Sequence, residues 1–506
     1  MTATGVAVEP VPPTPAAPVR TPWWRRFTAA TVPPLVALVA GWLLLAYRTG
    51  RRDEALLRPS QWGRWDTGQY LKIARSGYEV TWQCSPRSIP PHAPPGHYLC
   101  GNAGWFPGYP GGIRLLSDVA GLSLPMAALV LSWVCWYLAL LVMWQLLAGA
   151  RSLPSRWLCL LVAAFFPGQV YFAALFPVSL CVAAMLACLY AATRPTRPLL
   201  SGGVAMLAGA AAAYTYITPI ALAPALLLTA LIAVRGRRRL QVLAGATGIL
   251  AGFGGVLVTM QLLVGIWNAY FLSAAKFGVG AHSPLDTLKD RLQPLWVDPA
   301  AGREVLRVTA SQTLLTLGLL ALATVVTLVR AARPSRVPAT ELAGTELAGT
   351  ELAGAEPAGA EPGAAAAGRA AAVGAEPAVD GPAVDGPADD RAAAAGDRDG
   401  DPADDPDGDH PAPAGARRPS RYARWYPAFT ARISPRDLLL LLSAGGVWLV
   451  PYIAGGGAST YRSEAFVVLC VPLLRRLPPW LLMIVLAAVV SVTWRLAPYF
   501  FDFTLA

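Results

Sequence analysis

Long apolar runs alternate with short basic stretches along most of this chain. The runs fall at about 31–47, 122–148, 157–174, 177–193, 199–214, 217–234, 240–266, 311–330, 437–454, 464–474 and 479–498. Most have the roughly 17–25 residues that a helix needs to cross a hydrocarbon core about 30 Å thick. A helix satisfies its own backbone groups in lipid. The pattern therefore predicts an all-α polytopic membrane protein with about 11 transmembrane helices. The run at 464–474 is too short to cross alone and reads as a tilted or partly re-entrant segment.

Composition agrees. Hydrophobic residues make up 55% of the 506 and mean hydropathy is +0.46. Only 14% are charged, against about 25% in a soluble domain. The net charge of +11 does not point to nucleic acid, because the arginines cluster between apolar runs, where they signal topology. With the N-terminus in the cytoplasm, the clusters at 151–156, 194–197, 235–239, 330–336, 417–436 and 475–476 all fall inside. The polar regions 48–118 and 267–310 then fall outside. Arg48, Arg51, Arg52 and Arg58 run against the rule. The first apolar run follows Arg20, Arg25 and Arg26 without a small-residue cleavage site, so it reads as an uncleaved signal anchor.

Two segments differ in kind. Residues 1–30 are Pro-rich and basic and read as a disordered cytoplasmic tail. Residues 331–436 begin with a five-residue TELAG repeat and pass into an acidic Asp/Pro/Gly run. This composition cannot bury enough apolar surface to offset its ordering entropy. The expected organisation is a membrane domain over 31–330, a disordered cytoplasmic insert over 331–436, and C-terminal spans over 437–506. Five of the seven cysteines, Cys135, Cys159, Cys181, Cys188 and Cys470, lie in apolar runs as packing residues. Cys84 and Cys100 share one polar loop, either as two thiols or, in an oxidising compartment, as a disulfide.

The first polar region carries the most distinctive stretch, Gly63–Tyr78, GRWDTGQYLKIARSGY. Tyr70, Leu71, Ile73 and Ala74 have helical spacing, and Gly77 sits where a left-handed residue would end the helix. One reading makes Asp66 the N-cap of an amphipathic interfacial helix. Another makes it a carboxylate held at the outer face to take a proton from an acceptor hydroxyl. The two are compatible. Downstream, Trp105–Leu116 has two prolines and three glycines, which predict an irregular segment up to Gly112, either an aromatic–proline turn at the interface or a loop lining a groove for a lipid chain or sugar. Trp62, Trp65, Trp82 and Trp105 suit an interfacial aromatic belt or stacking on a sugar. Lys276 is either a surface lysine or a phosphate contact. The four histidines, His92 and His97 among them, are scattered and offer no metal-ligand set.

These residues carry a resemblance. Arg64-Trp65-Asp66, then Tyr70, Ile73-Ala74 and Gly77-Tyr78, then Phe106-Pro107-Gly108-Tyr109-Pro110 with Arg114, resemble the signature of the PIG-V family, the GPI mannosyltransferase II enzymes and their bacterial relatives. Ser459-Thr460-Tyr461-Arg462 is similar to the family's S-x-x-R, and Trp267–Phe271 to a segment of its later outer loop. The resemblance covers roughly 60–275 and 437–500. It implies a GT-C fold and inverting transfer of mannose from a polyprenyl-phosphate donor to a lipid or glycan acceptor outside the cytoplasm, with no cofactor or metal. By position Asp66 maps to the essential acid of the first outer loop and would be the general base. Arg462 and Arg64 are candidates for the cation expected near the leaving phosphate, and Arg462 reads equally as a snorkelling interfacial arginine. Arg114 would do the same or orient its loop. Trp65, Tyr70, Tyr78, Phe106 and Tyr109 would line the substrate site. The chain departs from the family at Phe176–Ser179, which lacks an acid, and at Tyr216–Pro219, which lacks an arginine. The 331–436 insert has no counterpart. The Ala-, Arg- and Pro-rich composition suits a high-GC bacterium and its plasma membrane.

The competing classes are a lipid or polyprenyl-intermediate transporter, an inactive relative, and a scaffold acting through the acidic insert. A transporter predicts charges at mid-membrane depth or a repeat of its halves, and the sequence shows neither.

Overall fold

The computed structural model describes residues 22–50, 57–86, 89, 93, 96–194, 196–297, 304–332, 433–455 and 460–502. Contacts divide the chain into Met1–Arg333 with Arg421–Ala506, and Pro334–Ser420; every described residue belongs to the first unit. Of the expected disordered insert, only 331–332 and 433–436 are described, at the ends of the flanking helices. Of the expected N-terminal tail, residues 1–21 lie outside the described set.

The helices, in chain order, are α1 (Trp23–Arg48), α2 (Pro59–Trp62), α3 (Thr67–Ser76), α4 (Gly108–Ala120), α5 (Leu124–Leu146), α6 (Leu153–Ala164), α7 (Val170–Ala173), α8 (Val178–Thr193), α9 (Pro198–Thr215), α10 (Leu222–Ile232), α11 (Arg237–Val264), α12 (Ala269–Ala275), α13 (Pro284–Leu292), α14 (Glu304–Ala332), α15 (Pro435–Ile453), α16 (Thr460–Glu464) and α17 (Pro479–Phe501). A two-residue hairpin pairs β1 (Val80–Thr81) with β2 (Cys100–Gly101), Val80 opposite Gly101 and Thr81 opposite Cys100. Among the described residues, seven helices, α1, α5, α9, α11, α14, α15 and α17, are long and apolar enough to cross a membrane. The protein is a polytopic α-helical membrane protein.

The first helix begins at Trp23, not at 31 as expected. Its added turns carry Trp23, Trp24, Arg25, Arg26 and Phe27, the aromatic and basic mixture that suits an interface. The expected third span is not continuous. α6 stops at Ala164, where Pro167 disfavours helix in the residue before it, and Gly168 turns the chain at φ +86°. The expected sixth span is a 3-10 turn, Thr218–Ala221, running into α10.

The expected tenth span is a twelve-residue 3-10 helix, Ala465–Arg476. It does not turn back. It leaves α16 at one end and reaches Asp437 through Arg475 at the other. A 3-10 helix rises about 2.0 Å per residue, so twelve residues span roughly 24 Å where an α-helix would give about 18 Å. Every residue from Ala465 to Arg475 is buried, so the segment is the central rod of the bundle. Around it α5, α6, α8 and α15 contribute Trp136, Leu160, Leu186 and Val447 to one continuous core.

The closest helix crossing is between α9 and α11. A β-carbon at Gly248 would lie 2.1 Å from the Met206 carbonyl oxygen, and one at Gly252 2.2 Å from that of Ala210. Glycines four apart let the backbones touch, the usual basis of close packing in lipid.

Candidate functional site

α3 is short and amphipathic, and its inner face is Thr67, Tyr70, Ile73 and Ala74. That face packs on the protein. The Tyr70 ring meets Tyr109 of α4 edge-on at 5.4 Å and Phe176 at 6.4 Å. Gly77 ends the helix at φ +81°, its N–H donating to the Ile73 carbonyl at 2.9 Å, as the sequence predicts.

Asp66 precedes α3 but does not cap it with its side chain. Trp65 adopts φ +41°, an unusual value for a bulky residue, costing about 1–3 kcal/mol. The Trp65 ring is held edge-on to Phe500 at 5.4 Å. After this turn the Asp66 carboxylate Oδ2 accepts a hydrogen bond from the guanidinium Nη1 of Arg462 on α16, 396 residues away. The carboxylate side chain is 26% exposed and that of Arg462 14%.

Aromatic side chains surround the pair. The Arg462 guanidinium lies 5.5 Å from the Phe176 ring centre. Tyr171 stands 6.0 Å from Tyr461 and 5.5 Å from Phe500. Tyr216 packs on Phe466 at 5.4 Å and lies within electrostatic reach of both Asp66 and Arg462. The two segments that depart from the PIG-V pattern, at Phe176 and Tyr216, thus both reach the site.

Arg64 is placed differently from the expectation of a phosphate ligand. It is buried, and its guanidinium donates to the carbonyls of Ser60 at 3.2 Å, Gly63 at 2.8 Å and Phe501 at 3.4 Å. It ties the Asp66 turn to the C-terminus of α17, where carbonyls lack helical partners. Thr67 assists, accepting from the Arg64 N–H at 3.1 Å and donating to the Leu175 carbonyl at 3.3 Å.

The second motif is helical from Gly108, contrary to the expected irregular turn. Pro110 lies in the first turn of α4, where the missing N–H has no helical partner to lose. Tyr109 is fully buried and bonds Ser132 at 2.9 Å, a packing role. Phe106 is buried against Tyr270 at 4.8 Å. Tyr78, half-buried, donates from its hydroxyl to the Trp105 carbonyl at 2.8 Å. Arg114 is exposed and pairs with Asp118 at 3.8 Å; the structure does not bring it to Asp66. Ser459 lies outside the described residues.

The loop after α3 is closed by a disulfide between Cys84 and Cys100, with Cα atoms 5.5 Å apart. Asn102 fastens the same loop, accepting from Glu79 N–H at 2.7 Å and donating to the Gly77 carbonyl at 3.1 Å.

Sequence reasoning missed Glu464. It is fully buried, two residues past Arg462, and its Oε1 accepts from Thr313 of α14 and Tyr452 of α15, each at 2.6 Å. Gln312 donates to the Tyr461 carbonyl at 2.7 Å. Arg291 of α13 lies within electrostatic reach of Glu464. These contacts fix the back of α16, and with it the position of Arg462. An acid opening an apolar run was the available signal.

The fold and site define a multi-pass membrane protein in which a loop carboxylate, Asp66, is matched to Arg462 near the other end of the chain. No protein-family model matches this chain, and no curated protein matches it.

Proposed function

We propose that this protein is a membrane-embedded inverting glycosyltransferase of the GT-C type, an α-mannosyltransferase using a polyprenyl-phosphate mannose donor. The observation that carries the reading is the Asp66–Arg462 pair. A helix cap needs a side-chain bond to the helix N–H groups, and Asp66 makes none. A carboxylate left partly exposed, set by a strained turn and matched to a distant arginine within an aromatic wall, is arranged for chemistry rather than for α3.

The reaction asks for a base and a cation. The acceptor hydroxyl attacks the anomeric carbon while Asp66 takes its proton. The bond from that carbon to the phosphate oxygen breaks, and its electron pair stays on the phosphate. The configuration inverts, and an α-mannoside forms from a β-linked donor. In the resting pair the guanidinium occupies the carboxylate. Arg462 has to shift its charge to the leaving phosphate as the donor enters, which frees Asp66 at that moment and stabilises the phosphate as it departs. No step requires a metal.

The spans fit the same reading. The seven long helices, the shorter apolar helices α6, α8 and Thr218–Ile232, and the 3-10 rod are the segments that the expected eleven spans would use. A disulfide in the Asp66 loop suits an oxidising compartment, so the active site faces outward from a bacterial plasma membrane, with the N-terminus in the cytoplasm. The acceptor is a glycolipid or cell-envelope glycan.

The test is transfer from labelled polyprenyl-phosphate mannose in membranes containing wild type or Asp66→Asn. Loss of transfer in a well-inserted Asp66→Asn protein is expected, and the labelled product identifies the acceptor class. Equal transfer by both would remove Asp66 as the base. No transfer by wild type, together with movement of the labelled lipid across the bilayer, would favour a transporter.

A further inference from the structure

Five charged side chains are buried among the described residues: Arg64, Lys276, Asp437, Glu464 and Arg475. Arg64 has its carbonyls, Glu464 its two hydroxyls, and Asp437 pairs with Arg475 at 2.7 Å. Lys276 differs. It is 4% exposed and makes no hydrogen bond or ion pair with the described residues; its ammonium lies 5.1 Å from the centre of the neighbouring Phe277 ring. A buried lysine side chain whose ammonium has no anion beside it is poorly compensated, and burial lowers the Lys276 pKa.

A second group on the same face lacks a partner. Ser273 is fully buried, and its Oγ has no hydrogen bond. Lys276 keeps helical backbone angles at the end of α12, so the two side chains lie three apart on one helical face. Ser273 faces the Gly104 turn, where an added β-carbon would lie 3.2 Å from its Oγ. That turn follows Asn102, just past the disulfide at Cys100. Trp267, Phe271, Phe277 and Val279 are exposed around α12, an apolar rim suited to a hydrocarbon chain.

We propose that α12 and the Gly104 turn form a binding site for the phosphate group of a lipid, with Lys276 donating from its ammonium and Ser273 from its hydroxyl. A phosphate supplies the charge that Lys276 lacks and the acceptor oxygen that Ser273 lacks. The exposed apolar rim takes the chain that bears it. The site uses none of the residues on which sugar transfer rests.

The experiment is binding to the purified full-length protein in dodecyl maltoside, read by tryptophan fluorescence. The probes are farnesyl phosphate, short-chain phosphatidic acid, and farnesol as the uncharged control. Lys276→Met is expected to weaken phosphate binding by about tenfold or more, with Lys276→Arg retaining it and farnesol indifferent to both. An effect confined to farnesyl phosphate supports a single-chain lipid phosphate; an effect on phosphatidic acid supports a bilayer headgroup. Equal binding of both phosphates by wild type and Lys276→Met would overturn the site. So would a clear fall in the ligand-free thermal midpoint of Lys276→Met, since removing an unpaired charge should leave the fold at least as stable. Lys276→Met is scored by probe binding and Asp66→Asn by sugar transfer, so failure here leaves the transfer reading standing, and the reverse also holds.

Discussion

Two aspartates pair with arginines at opposite ends of this bundle. Thr313, which holds Glu464 behind Arg462, and Arg330, which reaches Asp437, lie seventeen residues apart on α14. That is roughly 25 Å along a helix axis. Asp437 takes two arginines, Arg475 at 2.7 Å and Arg330 at 3.7 Å, and its side chain is 11% exposed. It lies in the first turn of α15, where its N–H donates to the capping Ser434 hydroxyl at 3.1 Å, and a negative charge there complements the helix dipole. A cavity of about 420 Å³ opens beside it, lined by Thr327, Arg330, Ser434 and Arg476. Asp66 takes one arginine, caps nothing and is more exposed. The same two residue types thus tie three segments of chain together at one end and leave a reactive carboxylate at the other. What differs is the number of partners and whether the helix needs the acid.

The largest expected effect separates the two in activity. Asp66→Asn should lower transfer by about 10²–10⁴-fold, with a thermal midpoint in detergent near that of wild type. A midpoint depressed as far as that of the Asp437 variant would collapse the distinction. Next, Asp437→Ala leaves Arg475 buried without its acid and should cost about 3–5 kcal/mol of stability, seen as a lower midpoint. Glu464→Ala sharpens the comparison from the Asp66 side. It strands the Thr313 and Tyr452 hydroxyls at a cost of about 1–3 kcal/mol. Because α16 loses its anchor, transfer should fall further than stability alone explains, and Glu464→Gln should recover part of it. Transfer that simply tracks the folded fraction would make Glu464 a packing residue.

The smallest effect concerns an exposed pair. Glu79 meets Lys72 at 2.7 Å. The hydrogen bond from Lys72, then that from Ser76, holds its carboxyl below the ordinary value of 4.5. A lowered acid pKa stabilises the fold above the ordinary value and loses that contribution as pH falls through its own. Glu79→Gln should therefore lower the midpoint slightly at pH 7 and not at pH 3. A difference that grows in acid would reverse the sign and break this assignment.

Much of this was legible in the chain. The helical spacing and Gly77 of GRWDTGQYLKIARSGY located α3 and its end. The apolar runs located all seven long helices. Where the structure departs from these expectations, some causes are local and one is distant. Pro167 broke a run that looked continuous. Pro110 looked like a helix breaker but sits in a first turn. Arg64 and Arg462 were both expected to serve a phosphate. Arg64 is instead absorbed by three carbonyls, because its loop packs on the end of α17, a contact that no local pattern encodes.

The sequence by itself determined that this is a multi-pass helical membrane protein, since hydrophobic length and backbone satisfaction in lipid leave little choice. Its resemblance to the PIG-V signature also marked Asp66 and Arg462, in two separate motifs. Only the tertiary structure joined them across 396 residues. Only the tertiary structure turned Ala465–Arg476 into a 3-10 rod, anchored Glu464, and left Lys276 buried without a hydrogen-bond or ion-pair partner among the described residues. Those outcomes depend on which helices pack together, and packing between distant segments is not written in the periodicity of any one of them.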